Sequence, residues 1–130
     1  MNNLLWMISI SSSLFLSTQA NACSCLISNR ADQIEWADTI LVAEVSNVEH
    51  TQATLLPIEV IKGKVIQPLI FSIGYSNCDY FSLPENVHVG DRHLFYLRLQ
   101  DGKLNASICS HSGPIEKKGV ELEELRKQFK

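Results

Sequence analysis

The chain of 130 residues is long enough for one domain and too short for two ordinary ones. Hydrophobic residues make up 45% of the chain and charged residues 19%, which excludes a disordered or fibrous protein. The formal net charge of -3 argues against a nucleic-acid binder, because such a protein needs a dense basic face.

The first 22 residues predict a cleaved secretory signal peptide. Residues 1–22 contain no Lys, Arg, Asp or Glu, and a short apolar stretch ends in an Ala-Asn-Ala cleavage pattern at Ala22. Cleavage there leaves residues 23–130 as a single secreted or periplasmic domain that begins at Cys23. We expect no stable membrane insertion of the mature chain.

The mature part predicts a short helix, a set of strands and a second helix. The first helix is expected over residues 28–37, with Ser28 or Asn29 as its cap. Segments rich in β-branched residues predict five strands, at residues 39–48, 55–61, 66–73, 93–99 and 104–109. Within the second of these, Pro57 indicates an edge or a bulge.

From Pro114 onward the charged, amphipathic pattern predicts a helix. Its inward side is expected to carry four apolar residues, namely Val120, Leu122, Leu125 and Phe129. Five short antiparallel strands with flanking helices predict an all-β fold, a five-stranded barrel like that of oligonucleotide- and oligosaccharide-binding domains. This fold alone does not define a function.

Four cysteines remain after cleavage, at Cys23, Cys25, Cys78 and Cys109. An even number in a small exported chain predicts a disulfide framework. A bridge between Cys23 and Cys25 would close a very small, strained ring, so each is expected to pair with either Cys78 or Cys109. Structural zinc and a redox-active C-x-C pair are weaker alternatives, because the usual ligand spacing is missing and an oxidising compartment disfavours free thiols.

The position of Cys23 at the mature N-terminus indicates a chemical role. Its α-amino nitrogen and its own carbonyl oxygen form a rigid chelate, and a catalytic zinc has a water position that such a chelate can take. An α-amino pKa near 7.7 to 8.0 makes the neutral amine accessible near neutral pH. Bridges at Cys23 and Cys25 reduce the ordering entropy lost on docking, and Ser24 faces outward towards a pocket beside the metal.

The motif Cys23-Ser24-Cys25 at a mature N-terminus resembles the tissue inhibitors of metalloproteinases, which have a netrin-like domain. The short helix and residues 37–40 follow this family's opening without a gap, and residues 58–63 look like its second strand and following turn. The last two cysteines fall after the third strand and at the end of the fifth. The chain looks like a minimal, single-domain and bacterial version of the family.

This resemblance implies the disulfide pairs Cys23–Cys78 and Cys25–Cys109. It also implies that the amine and carbonyl of Cys23 chelate the zinc of a target metalloprotease, while Ser24 enters that enzyme's specificity pocket. Further residues are implied as protease contacts: Cys25, Leu26, Ile27, Tyr75, Ser76, Asn77 and Asp79. The expected protein is a monomeric inhibitor of a zinc metalloprotease catalytic domain, with no cofactor and no metal of its own.

Other interpretations compete with this one. A netrin-like binding module at the cell envelope or extracellular surface, which inhibits nothing, is the alternative function. An acylated lipoprotein cysteine at Cys23 would block the amine, but the preceding residues make a poor lipobox.

No nucleophile motif frames a serine, so we expect no enzyme activity. Four histidines lack ligand spacing: His50, His88, His93 and His111. Three aromatic residues are expected in the core, Trp36, Phe95 and Tyr96.

Overall fold

The computed structural model describes Cys23, Cys25 and residues 29–130, and the predicted signal peptide lies outside these residues. The helices and strands in chain order are α1 (Arg30–Trp36), β1 (Thr39–Val48), β2 (Gln52–Lys62), β3 (Leu69–Ser72), β4 (Arg92–Gln100), β5 (Lys103–Asn105), β6 (Gly113–Pro114) and α2 (Gly119–Gln128). Two short 3-10 turns, Pro84–Asn86 and Ile115–Lys117, lie between them.

The strands form one antiparallel sheet that curls into a nearly closed barrel. Its strand order is β3-β2-β1-β4-β5, and β6 pairs with β4 beside this path. The central strand β1 pairs with both β2 and β4 along most of its length. The predicted fold class, an all-β barrel with a helix on either side in sequence, is therefore confirmed.

A bulge accommodates the proline within β2. Pro57 lies opposite Ala43, and the pairing register between β1 and β2 shifts between Val42 and Ala43. Proline has no N–H to donate to the ladder, so an irregular position is where a strand tolerates it. The expectation that Pro57 marks an edge or a bulge is confirmed.

Two apolar clusters hold the fold together, one on each face of β1. Leu41 and Val45 lie in the cluster inside the barrel, whereas Ile40 and Val42 belong to a second cluster that α2 covers. Successive side chains of a strand point to opposite faces, so a strand buried on both sides has an almost continuous apolar sequence. Two of the three aromatic residues expected in the core are completely buried, Phe95 inside the barrel and Tyr96 under α2.

The helix α2 begins later than its sequence pattern predicts, at Gly119 instead of Pro114. Leu122 and Leu125 are buried as expected and Phe129 packs against the same cluster. Val120 is 76% exposed, so its predicted inward position is wrong. Residues two apart in a helix do not share a face, and the packing of Leu122 turns Val120 towards solvent.

Hydrogen bonds of polar and charged side chains connect α2 to the barrel. Arg126 donates to both carboxylate oxygens of Glu59 on β2, at 2.7 Å from its terminal nitrogen and 2.8 Å from Nε. This contact lowers the pKa of Glu59 below its ordinary value. On the other side, the Tyr96 hydroxyl donates to Glu121 of α2 at 2.7 Å.

Two of the predicted strands are shorter than expected. β5 ends at Asn105 instead of residue 109, because the chain then enters a turn in which Ser107 Oγ accepts the Cys109 N–H at 3.1 Å. Side chains of this type compete with ladder hydrogen bonds for the backbone. β3 begins at Leu69, directly after Pro68, instead of residue 66.

The turn after β2 requires glycine at position 63. Gly63 has a φ of +77°, and a Cβ there would lie 2.1 Å from the Asp38 carbonyl oxygen. Gly102, in the turn between β4 and β5, has a φ of +75° but no heavy atom within 4 Å of such a Cβ.

We expect Gly102→Ala to cost about 1 kcal/mol of unfolding free energy through backbone strain alone. Gly63→Ala should cost at least about 2 kcal/mol more, because the Asp38 backbone must move. Urea unfolding measures both, and equal costs would contradict the close approach at Gly63.

Candidate functional site

Two disulfides attach the N-terminal segment to the barrel. Cys23 is bonded to Cys78 and Cys25 to Cys109, with Cα–Cα distances of 5.0 and 5.2 Å. This is the pairing that the family resemblance implies. The bonds span 55 and 84 positions of sequence and are compatible with an oxidising extracellular or periplasmic compartment.

The loop that carries Cys78 is organised around one carboxylate. The backbone N–H groups of Tyr75 and Ser76 donate to Asp79 Oδ2 at 2.8 and 3.0 Å. The Cys78 N–H donates to Ser76 Oγ at 3.2 Å. Asp79 therefore shapes this loop from within, whereas the Tyr75 side chain is 90% exposed and offers the larger surface. Asn77 is also exposed.

The Cys78 loop is tied directly to the segment that carries Cys109. The Ile108 N–H donates to the Cys78 carbonyl at 2.9 Å, and Asp79 and Ser107 form an isolated antiparallel bridge. The two half-cystines that receive the N-terminal segment thus lie on adjacent, hydrogen-bonded pieces of backbone. The two disulfides consequently form one attachment point.

A buried glutamine on α1 supports this attachment point. The Gln33 side chain is 2% exposed, donates from Nε2 to the Cys109 carbonyl at 3.2 Å and accepts the His111 N–H at 3.3 Å. Gln33 was not among the residues predicted for the site. Its position in the sequence could have indicated burial. Gln33 lies four residues before Ala37, which is buried, and residues i and i+4 share a helix face.

On its other side the Cys78 loop continues into an aromatic cluster. The Tyr80 hydroxyl lies 2.8 Å from His93 Nδ1, and both rings pack edge-on against Phe81. His93 also stacks on Phe95 with ring centroids 5.5 Å apart. Burial raises the pKa of Tyr80 and lowers the pKa of His93. His93 lies on β4 and packs among these rings.

Acidification is expected to destabilise the fold through His93. Burial lowers its pKa in the folded chain more than Asp91 and Glu116 raise it, whereas in the unfolded chain the pKa stays at about 6.5. The unfolded state therefore binds the proton first, so the stability present above pH of about 6.5 is lost as the pH falls towards the folded-state pKa.

Urea unfolding at pH of about 7.5 and about 5.5 measures this loss. His93→Gln, which cannot titrate, is the control, and it should lose less stability than the parent between the two pH values. Equal losses in the two proteins would contradict a depressed pKa at His93.

A cavity of about 440 Å³ adjoins the attachment point. Cys23, Ser76 and Asp79 are among the residues that line it, together with Trp36 and Arg98. The Arg98 guanidinium lies 5.5 Å from the centre of the Trp36 ring and donates to the Trp36 carbonyl at 2.6 Å. The residues that line this cavity therefore place polar and aromatic side chains near Cys23.

Three of the predicted protease contacts, Ser24, Leu26 and Ile27, lie outside the described residues. The others, Cys23 with Cys25 and the 75–79 loop, are brought together by the disulfides. Within the described part of the chain, no group of three or more His, Cys, Asp or Glu side chains could hold a metal ion. Among the described residues, neither helix has the length and hydrophobicity that a membrane span requires.

The fold and the site together define a small β-barrel whose N-terminal segment is attached by two neighbouring disulfides. No protein-family model matches this chain, and no curated protein sequence matches it. The family resemblance therefore remains a prediction that rests on the N-terminal motif, the sequence of the helix and strands that follow it, and the cysteine positions.

Proposed function

We propose that this chain is a secreted or periplasmic inhibitor of zinc metalloproteases, a minimal netrin-like member of the tissue-inhibitor family. In this proposal the amine and carbonyl of the mature N-terminal Cys23 chelate the zinc of the target. Ser24 enters the specificity pocket, and Leu26 and Ile27 continue along the substrate cleft. The protein itself is not an enzyme.

The observation that carries the proposal is the double attachment of the first residues. Cys23 is bonded to the loop that exposes Tyr75, and Cys25 is bonded separately to the segment held by Gln33. Two covalent anchors within three residues leave this segment little conformational freedom to lose when it docks. Disulfides that only stabilise a fold do so by restricting the unfolded chain, which does not require two bonds this close together in sequence.

The chemistry of the terminus supports the same conclusion. A neutral α-amine and the carbonyl of the same residue are two hard donors in one rigid unit, and a catalytic zinc has one exchangeable water position. Cys23 is half-buried and its side chain is occupied by the disulfide, so the thiol is not the donor. The 75–79 loop then supplies a second contact ridge, with Tyr75 as its most exposed side chain.

A titration tests the proposal. The chain is exported so that its leader is removed, and mass spectrometry verifies two disulfides and an unmodified Cys23 amine. It is then titrated into catalytic domains of several zinc metalloproteases, with a serine protease as the control. We expect loss of metalloprotease activity at a 1:1 ratio, no recovery on adding zinc, and no effect on the serine protease.

The alternative function predicts a different outcome. A netrin-like binding module would leave every metalloprotease fully active, even when its disulfides and N-terminus are verified. Recovery of activity on adding zinc would show that the chain merely removes the metal, and would overturn the proposed mechanism.

A further inference from the structure

The two disulfides touch each other. Cys23 Sγ lies 3.6 Å from Cys109 Sγ, although each is bonded to a different cysteine. Cys23 and Cys109 are half-buried, whereas their partners Cys78 and Cys25 are exposed. An external thiol therefore reaches the outer residue of each bond while the two inner sulfurs remain in contact.

We propose that this pair of bonds is a site of thiol–disulfide exchange, whose co-reactant is a low-molecular-weight thiol. In the first step the external thiolate bonds to Cys25 Sγ, the Cys25–Cys109 bond breaks, and its electron pair leaves on Cys109 as a thiolate. In the second step the Cys109 thiolate bonds to Cys23 Sγ, and the Cys23–Cys78 bond breaks. Cys78 leaves as a thiolate and takes a proton from water. The second step changes no overall oxidation state, because one disulfide forms as another is lost.

Three features of the structure favour the second step. The attacking and attacked sulfurs are already in contact, which makes the reaction intramolecular and removes the cost of bringing them together. Gln33 and Ser107 hold the backbone of Cys109 in place. The leaving group, Cys78, is exposed, so water solvates its thiolate.

The exchange moves the tether of the N-terminal residue. Before it, Cys23 is attached to the 75–79 loop; after it, Cys23 is attached to the turn at residues 107–110 and Cys78 is free. The inference does not depend on what the N-terminal segment binds. Its test therefore remains valid whether or not the chain inhibits a protease.

A cysteine variant isolates the second step. Cys25→Ser leaves the Cys109 thiol beside the intact Cys23–Cys78 bond. The folded variant is equilibrated at pH of about 8.5, where thiolates form, then quenched in acid and alkylated. Trypsin separates the two reporters, because Cys78 falls in the peptide of residues 65–92 and Cys109 in that of residues 104–117.

We expect alkylation of both peptides, with at least about a tenth of the label on Cys78, and a ratio independent of protein concentration. The control Cys25→Ser/Cys109→Ser has no attacking thiol and should carry no label on Cys78. Label confined to the Cys109 peptide of the single variant would overturn the proposal, as would a ratio that rises with protein concentration.

A second variant tests the same sulfur contact with Cys23 as the attacking thiolate. Cys78→Ser leaves the Cys23 thiol 3.6 Å from Cys109 Sγ of the remaining bond. Exchange here frees Cys25, so fragmentation of the N-terminal peptide should locate label on both Cys23 and Cys25. Label on Cys23 alone would contradict the exchange even if Cys25→Ser does not fold.

Discussion

On the proposed function, we expect a single alanine added before Cys23 to lower the affinity for a zinc metalloprotease by at least about 100-fold. The addition converts the Cys23 amine into an amide nitrogen, which no longer has a lone pair for the zinc, and moves the new amine about 3.8 Å away along the chain. Loss of this metal bond and the clash of the extra residue should cost at least about 3 kcal/mol, and each 1.4 kcal/mol is tenfold in affinity. Inhibition titrations of the processed chain and its extended twin measure the ratio.

The matched control carries the same additional alanine after Lys130 instead of before Cys23. It should inhibit like the parent, and thermal unfolding should show that all three proteins are equally stable. Equal inhibition by the N-terminally extended twin would mean that the protein inhibits by another surface, and the assignment of Cys23 would be wrong.

Removal of the Cys25–Cys109 bond is the second change with a large expected effect. The bond closes a loop of 84 positions, and the loop-entropy relation assigns it about 4.6 kcal/mol at room temperature. Cys25→Ser/Cys109→Ser should therefore lose a large part of a total unfolding free energy that is about 5 to 15 kcal/mol for ordinary domains. Urea unfolding of the purified double variant measures the loss.

The other bond provides the comparison. Cys23→Ser/Cys78→Ser opens a loop of 55 positions, which the same relation values within about 0.5 kcal/mol of the first. The two double variants should thus be similarly unstable. Only Cys23→Ser/Cys78→Ser detaches position 23, the residue assigned to the zinc, from the 75–79 loop. A loss below about 1 kcal/mol for either pair would show that the barrel does not depend on these bonds.

The barrel was predictable from the sequence because its signals are local. The β1 prediction, residues 39–48, matches the structure at both ends, since a segment rich in β-branched residues is bounded by polar residues. Asn29 caps α1 through its side chain, which accepts the Asp32 N–H at 2.8 Å, as one of the two predicted caps. Such features depend on neighbours within a few residues.

Features that depend on distant residues were not predictable. Gln33 owes its role to a backbone carbonyl 76 positions away, and β5 stops early because Ser107 takes the Cys109 N–H. Asp79 was expected only as a protease contact, but its carboxylate is the acceptor around which its own loop is built. Val120 shows the same limit, since the packing of Leu122 and Leu125 against the barrel decides which side of α2 faces inward.

A crystal structure of the processed chain bound to a zinc metalloprotease, with the metal located by its anomalous signal, tests the chelating N-terminus directly. We expect the Cys23 amine nitrogen to lie about 2.1 Å from the zinc, with the carbonyl oxygen of the same residue as a second ligand in place of the catalytic water. A complex in which the zinc keeps its water and the Cys23 nitrogen lies beyond about 4 Å would contradict the chelating N-terminus.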